Sequence, residues 1–362
     1  MDSDIPDRPL RKGWTTGTCA TAAAAAAYEA LLTERFPDSV CVTLPRGGET
    51  VQALSRTELA DGAATAGVIK DAGDDPDVSH GAMVLATVRK SPAGSGVSFH
   101  AGEGVGTVTL PGLQVPVGEP AINPGPREMI RRAIADVAER FDGGGDVSVT
   151  VAIPGGAALA ERTLNARLGI EGGLSILGTT GIVQPYSCAS WIHSIHRGID
   201  VARAAGLDHL AAATGSTSEA AVKALYGFSD QALLDMGDFT GGTLKYLRAH
   251  PVARLTIASG FAKIAKLAQG ALYLHSSKSQ VDIGALALLL ESLGATPERI
   301  AQAEAATSAA QVLTLADDAG CPLADLVARR AREVAMATLA GGTAVEVLIF
   351  NRQGTLIGRA CD

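Results

Sequence analysis

From about residue 191 to the C-terminus, short apolar runs alternate with longer helical stretches, and this alternation limits the fold more than any other feature. Residues 192–205 read as helix and 209–214 as strand. Residues 218–226 and 242–249 read as helices, and 253–258 as the next strand. Further helices are expected over 263–271, 281–293, 297–307 and 322–339. A closing hairpin pairs 345–350 with 355–358 and turns at Asn351-Arg352-Gln353-Gly354. Strands that alternate with helices pack as a parallel sheet with helices on its faces. The second half is therefore expected to be a Rossmann-like α/β domain.

The first half follows a different pattern. Residues 17–32 are alanine-rich and contain no helix breaker, so they form a helix, alanine having the best propensity. Residues 40–44 and 83–89 read as strands. Residues 97–110 suggest two strands around the turn Gly102-Glu103-Gly104-Val105-Gly106. Asn123-Pro124-Gly125-Pro126 opens a helix through residue 140, with Pro126 in the first turn, where a missing N–H costs nothing. From residue 147 to 153, valine and isoleucine alternate with small polar residues, which marks a strand ending at Pro154. The expectation is a mixed α+β domain over 1–190 and an α/β domain over 191–362.

A chain of 362 residues, 47% hydrophobic and 19% charged, can bury two cores and is not a disordered tail. Its most apolar stretches, 20–32 and 281–290, fall short of the roughly 20 residues that span a bilayer. Residues 1–11 lack an apolar core and a cleavage site. A cytoplasmic protein without membrane partners is expected. The net charge of −8, with no Lys/Arg cluster, argues against nucleic acid, since phosphate binding needs a basic face. Cys19, Cys41, Cys188, Cys321 and Cys361 are scattered without a CxxC pair, so neither a disulfide framework nor a protein metal site is expected.

Thr and Gly cluster at turns: Thr15-Thr16-Gly17-Thr18, Gly178-Thr179-Thr180-Gly181, Thr214-Gly215-Ser216-Thr217 and Thr240-Gly241-Gly242-Thr243. Free N–H groups at a helix start attract anions, glycine lets the backbone approach, and hydroxyls add donors. Ordinary N-caps and turns are the competing reading. Thr214, Gly215 and Ser216 follow the first strand of the alternating half, with Glu219 in the first helical turn. They form the cofactor candidate, because ligands bind beyond the carboxyl ends of such strands. Asp235 and Asp238 lie about 20 residues further on, where a carboxylate often meets a ribose diol. Gly260, just past the next strand, belongs with them. Thr15, Thr16, Gly17, Thr18, Thr179 and Thr180 are the candidates for an anionic substrate.

Other features carry less. Gly102 to Gly106 lacks the following helix a dinucleotide loop needs and reads as a hairpin turn. Asp71-Ala72-Gly73-Asp74-Asp75-Pro76-Asp77 fails the EF-hand spacing and reads as a solvated loop. His193 and His196 sit three apart on a helix without a third ligand. His275-Ser276-Ser277-Lys278 brings an imidazole, hydroxyls and an ammonium to an expected helix start, but no nucleophile elbow accompanies it. His275 is the catalytic candidate, and Ser276 and Lys278 join the substrate set. A helix cap is the alternative. Cys19, near a helix start, reads as a buried, inert thiol.

At these residues a resemblance appears. Trp14-Thr15-Thr16-Gly17-Thr18-Cys19-Ala20 resembles the opening signature of the cobalt-precorrin-5B C(1)-methyltransferase family. The likeness continues through Asp71 to Val78, Gly104-Val105-Gly106, Gly118 to Pro124, and Thr163 to Ile170. It is longest from Gly172 to Val183, and includes Lys263 to Ala268 and His275-Ser276. The blocks keep their order along nearly the whole chain. Glu103 departs from the family's aspartate, and Ser216, Thr217 and Ser218 are small hydroxyl residues between the glycine and glutamate that the family keeps.

The resemblance implies methyl transfer from S-adenosylmethionine to carbon 1 of a ring-contracted cobalt tetrapyrrole, giving cobalt-precorrin-6A. Cobalt then arrives only inside the anionic corrinoid substrate. The scattered Arg127, Arg167 and Lys278 suit its acetate and propionate arms. Positioning supplies most of the rate in such a reaction, which agrees with the lack of a hydrolytic triad. Two rivals stay open at this point. A nucleotide-dependent oxidoreductase would bind reduced nicotinamide, and a tetrapyrrole carrier would bind the macrocycle without turnover. A homo-oligomer is compatible with either and with the methyltransferase.

Overall fold

A computed structural model describes residues 8–361, which divide into two compact units, one ending at Ser187 and the other beginning at Cys188. The first opens with β1 (Gly13–Trp14) and α1 (Thr16–Thr33). Five strands follow: β2 (Ser39–Thr43), β3 (Glu49–Ala53), β4 (Arg56–Ala60), β5 (Ala63–Ile69) and β6 (Met83–Lys90). After β7 (Val97–Ala101) and β8 (Thr107–Val108) come α2 (Pro124–Arg140), β9 (Val147–Ala152) and α3 (Gly156–Ala160). The short strands β10 (Ile170–Glu171) and β11 (Ile182–Val183) end the unit.

Its main sheet has the order β4-β5-β6-β9-β7. In β9, Val147, Val149 and Val151 point into the core, while Ser148 and Thr150 line the opposite face. Against that core face lie α1 and α2. Every residue of α1 from Thr16 to Tyr28 is buried. A helix apolar all round is one enclosed on all sides, and its run of alanines keeps the enclosing elements close. Met129, Ile130, Ile134 and Val137 supply the inner stripe of α2.

The Gly102–Gly106 segment is not a hairpin. β7 pairs in parallel with β9, whereas β8 pairs with β10, so the turn connects two separate sheets. Its glycines serve close packing. A Cβ on Gly104 would lie 2.0 Å from the Ile153 carbonyl oxygen, and one on Gly173 would lie 2.2 Å from that of Gly104.

The second unit starts with α4 (Cys188–Ala204), β12 (His209–Ala213), α5 (Ser216–Tyr226) and β13 (Leu233–Asp235). It continues through α6 (Thr240–Ala249), β14 (Arg254–Gly260) and α7 (Phe261–Ala268). Four helices follow: α8 (Ile283–Ser292), α9 (Pro297–Glu304), α10 (Ala309–Asp318) and α11 (Leu323–Leu339). β15 (Ala344–Phe350) and β16 (Leu356–Ala360) form the closing hairpin. The sheet order is β13-β12-β14-β15-β16, with the first four strands parallel and β16 antiparallel. Ala211, Ala213, Ala258 and Leu348 pack with Val222 of α5 on one face. Leu210, Ala212, Ile257 and Val347 face the larger cluster that contains α4, α6, α7 and α11. Strands covered on both faces tend to be apolar along their length, as β12 is from Leu210 to Ala213.

Among the described residues no helix is long and apolar enough to cross a membrane.

Candidate functional site

The sheet of the second unit has one point, between β12 and β14, where the order of strand addition reverses. From β12 the chain passes through α5 to β13 on one side, then returns through α6 to β14 on the other. At such a switch point the two connections leave in opposite directions and open a crevice beyond the carboxyl ends of the strands. Thr214 and Gly215 follow β12 there, and Gly260 ends β14. Gly215 and Gly260 are the N-caps of α5 and α7, and neither helix start is closed by a side-chain cap. A Cβ on Gly215 would meet nothing within 4 Å, and one on Gly260 would meet the Phe350 carbonyl at 3.9 Å. The backbone of both turns is thus open to a neighbouring molecule.

Polar contacts fix this rim. Thr214 Oγ1 and Ser259 Oγ stand 2.5 Å apart, joining the ends of the two strands. Ser218 Oγ donates to the Gly215 carbonyl at 2.9 Å, and Glu219 N donates to it at 3.0 Å. Lys263 Nζ donates to the Thr214 carbonyl at 3.2 Å and lies 2.9 Å from Asp238 Oδ1. That oxygen is buried without an aligned hydrogen bond, so the contact is an ion pair. Thr214, Gly215, Glu219, Asp238 and Gly260 therefore gather at one end of one sheet. Lys263 is the member that sequence reasoning missed. A cation in the first turn of a helix opposes the helix dipole, and that local misfit was the available signal.

His275 lies elsewhere in its chain context than expected. Residues 276–278 form a turn, and α8 begins later, capped by Asp282, whose carboxylate accepts from Ala285 N. Ser276 is not a helix cap, because nearby Asp282 takes that role. His275 Nδ1 lies 2.8 Å from Ser277 Oγ and accepts from Ser277 N at 3.3 Å. Its ring stacks on Tyr273 at 5.9 Å, and Tyr273 on Phe239 at 5.2 Å. Ser276 and Lys278 are exposed on the same turn.

In the first unit, Thr15 is the N-cap of α1, its Oγ1 accepting from Thr18 N at 3.2 Å. Thr18 Oγ1 donates to the Gly181 carbonyl at 2.7 Å, and Thr15 N donates to that same oxygen at 3.1 Å. Thr180 Oγ1 bonds within its own loop, to the Ile182 carbonyl at 3.1 Å. These bonds seat the 178–181 loop on the start of α1. The start of α2 meets it too, where a Cβ on Gly125 would lie 2.8 Å from the Gly178 carbonyl. Thr15, Thr18 and Thr180 thus have internal partners. Thr16 and Thr179 are the hydroxyls of this group without one among the described residues.

The acidic stretch is neutralised from within. Arg11 pairs with both carboxylate oxygens of Asp71, Arg8 binds Asp74, and buried Lys70 pairs with Asp77. The Arg11 hydrogen bond holds the Asp71 carboxyl down at about 2. Burial pushes the Cys19 thiol up to about 12, so it is inert at neutral pH.

Residues 4–185 match the family model CbiD, and 273–361 match the CbiD C-terminal domain. A Bradyrhizobium sp. protein named cobalt-precorrin-5B C(1)-methyltransferase is 60% identical over 358 residues, 99% of this chain and 95% of that one. The chain belongs to the cobalt-precorrin-5B C(1)-methyltransferase family. A Rhodospirillum rubrum protein of that name is 56% identical over 359 residues, 99% of each chain. A crystal structure of the cobalamin biosynthesis protein CbiD from Archaeoglobus fulgidus is 25% identical, with a TM-score of 0.40, and covers 86% of this chain and 85% of that one. Within this methyltransferase family member, His275, Ser276 and Lys278 fall in the second matched segment, and Thr15 to Thr18 and Thr179–Thr180 in the first.

Proposed function

We propose that this chain methylates carbon 1 of cobalt-precorrin-5B, with S-adenosylmethionine as donor, and releases cobalt-precorrin-6A. What supports the reading is 60% identity over nearly the whole chain to a protein named for that reaction. Cobalt belongs to the substrate in this scheme. The second unit is read as a Rossmann-like donor-binding domain, and the switch-point crevice as its site. A sulfonium donor supplies a methyl group already activated for in-line attack by an electron-rich carbon.

The residues of the crevice fit such a molecule. Gly215 and Gly260 leave room beside two helix starts whose N–H groups suit a carboxylate. The Asp238 carboxylate, fixed at one oxygen by Lys263, offers the other to a ribose diol. Glu219 and Ser216, in the first turn of α5, complete the polar rim. Thr16 in the first unit, with the N–H groups around it, suits one carboxylate arm of the corrinoid. His275 orients the macrocycle or accepts a proton after methylation. Its Nδ1 faces Ser277 N–H, which favours the tautomer with the proton on Nε2.

Calorimetric titration separates this reading from the oxidoreductase rival. The methyltransferase reading expects binding of S-adenosylmethionine and none of reduced nicotinamide dinucleotide. The reverse result would assign the crevice to hydride transfer.

A further inference from the structure

Helix α7 carries two lysines one turn apart, and both reach out of the helix to pin loops. Lys263 holds the Thr214 carbonyl and Asp238, as described. Lys266 is only 9% exposed, and its Nζ donates to the Leu274 carbonyl at 2.8 Å. That carbonyl is its one hydrogen-bond acceptor among the described residues. The backbone completes the link. Leu274 N donates to the Asp238 carbonyl at 2.9 Å, and Gly241 N donates to the Leu272 carbonyl at 2.7 Å. Ser279 Oγ closes the far side of the loop on the Tyr273 carbonyl at 2.8 Å. A continuous series of contacts therefore runs from Thr214 through Lys263, Asp238 and Leu274 to His275.

The energetics of Lys266 are poor for a purely structural residue. A buried ammonium with one neutral acceptor keeps much of its desolvation penalty. Burial accordingly lowers its pKa, against the raising effect of Asp238. A methionine of similar length would fill the same space without that penalty. Residues that break a local rule without an evident gain in stability are expected at functional sites. Lys263 breaks one as well, as a cation at the positive end of its helix.

We propose that Lys263 and Lys266 are positioning residues, a clasp that sets the His275 loop at a fixed distance from the Thr214–Gly215 turn. The proposal rests on the reading of that turn as the donor site and adds the part that aligns the acceptor side with it. Neither lysine touches the reacting atoms. Lys266 acts through the Leu274 carbonyl, and Lys263 through Thr214 and Asp238.

The test uses the full chain carrying Lys266→Met or Lys263→Gln, with three readouts. Amide exchange over residues 271–279 in the ligand-free protein should rise at least severalfold in Lys266→Met, while its melting temperature holds or increases. Its single-turnover methyl transfer at saturating ligands should slow by about tenfold or more, as misplacement near 1 Å costs on the order of 100-fold. Lys263→Gln should weaken S-adenosylmethionine binding by about tenfold, the effect of one lost charge-assisted contact. Unchanged exchange over 271–279 in Lys266→Met overturns the clasp, whatever the protein binds. So does a wild-type turnover rate in that variant, or wild-type donor affinity in Lys263→Gln. If wild-type protein itself fails to bind S-adenosylmethionine, the donor-site reading falls, and amide exchange still decides the clasp.

Discussion

Gly178 backs directly onto Thr15: an added Cβ at Gly178 would stand 2.6 Å from Thr15 Oγ1 and 2.7 Å from Thr15 Cβ. Gly178 also adopts φ +135°, a region that L side chains rarely enter. The loop and the helix cap can occupy their places only because no side chain intervenes. Gly178→Ala is therefore expected to cost about 1–3 kcal/mol through strain and a displaced cap. A thermal melt checks it, and an unchanged midpoint would show that the loop is not seated on α1 as described.

Two threonines on the same helix should behave differently. Thr18 is fully buried and donates to Gly181, so Thr18→Ala should destabilise the fold by about 0.5–1.5 kcal/mol, removing one of the two donors on that carbonyl. Thr16 lacks an internal partner. Thr16→Ala should leave stability nearly intact and raise the KM for the corrinoid, one charge-assisted bond being worth roughly 1.5–3 kcal/mol. Steady-state kinetics in both substrates decides it. Equal loss of donor and corrinoid affinity would instead point to a folding defect.

Gly215 allows an unusually clean variant. Its φ of 175° is ordinary extended backbone, and a Cβ there meets no protein atom within 4 Å. Gly215→Val should fold normally while placing a branched side chain where the donor's carboxylate end is proposed to lie. Calorimetry should show S-adenosylmethionine affinity sharply reduced. Unchanged affinity in the folded variant would remove this turn from the site.

Acid sensitivity follows from the Arg11–Asp71 pair. Its folded pKa, about 2, lies below the ordinary value of 3.8. A depressed carboxylate contributes stability above the unfolded value and loses it as pH falls through the folded one. The loss should therefore occur between about pH 4 and pH 2, and Arg11→Ala should flatten that part of the profile. Acid unfolding followed by circular dichroism would show it.

Much of the second unit was legible because its strands carry strong signals. Val345 to Phe350 is almost uniformly apolar, and Asn351 with Gly354 marks the turn that returns the chain to β16. The strands of the first unit were harder. In β4 every residue is exposed, so no buried face imprints an alternation. β5 is rich in alanine and contains Gly67, both poor strand formers. The short helix α10 was missed as well, although Ser308 caps it by accepting from Gln311 N. The glycines at 102–106 were misread because a turn and a close approach of backbones call for the same residue. Contacts such as Lys266 to Leu274 depend on loop geometry, which periodicity does not encode.

The central claim is chemical, and a direct assay of the product tests it. The purified chain would be incubated with cobalt-precorrin-5B and S-adenosylmethionine carrying an isotopically labelled methyl group. Mass analysis and NMR of the corrinoid would follow. The account predicts a single labelled methyl group on carbon 1, appearing only when protein, donor and substrate are all present. A corrinoid that binds but gains no label, or gains it at another carbon, would contradict it.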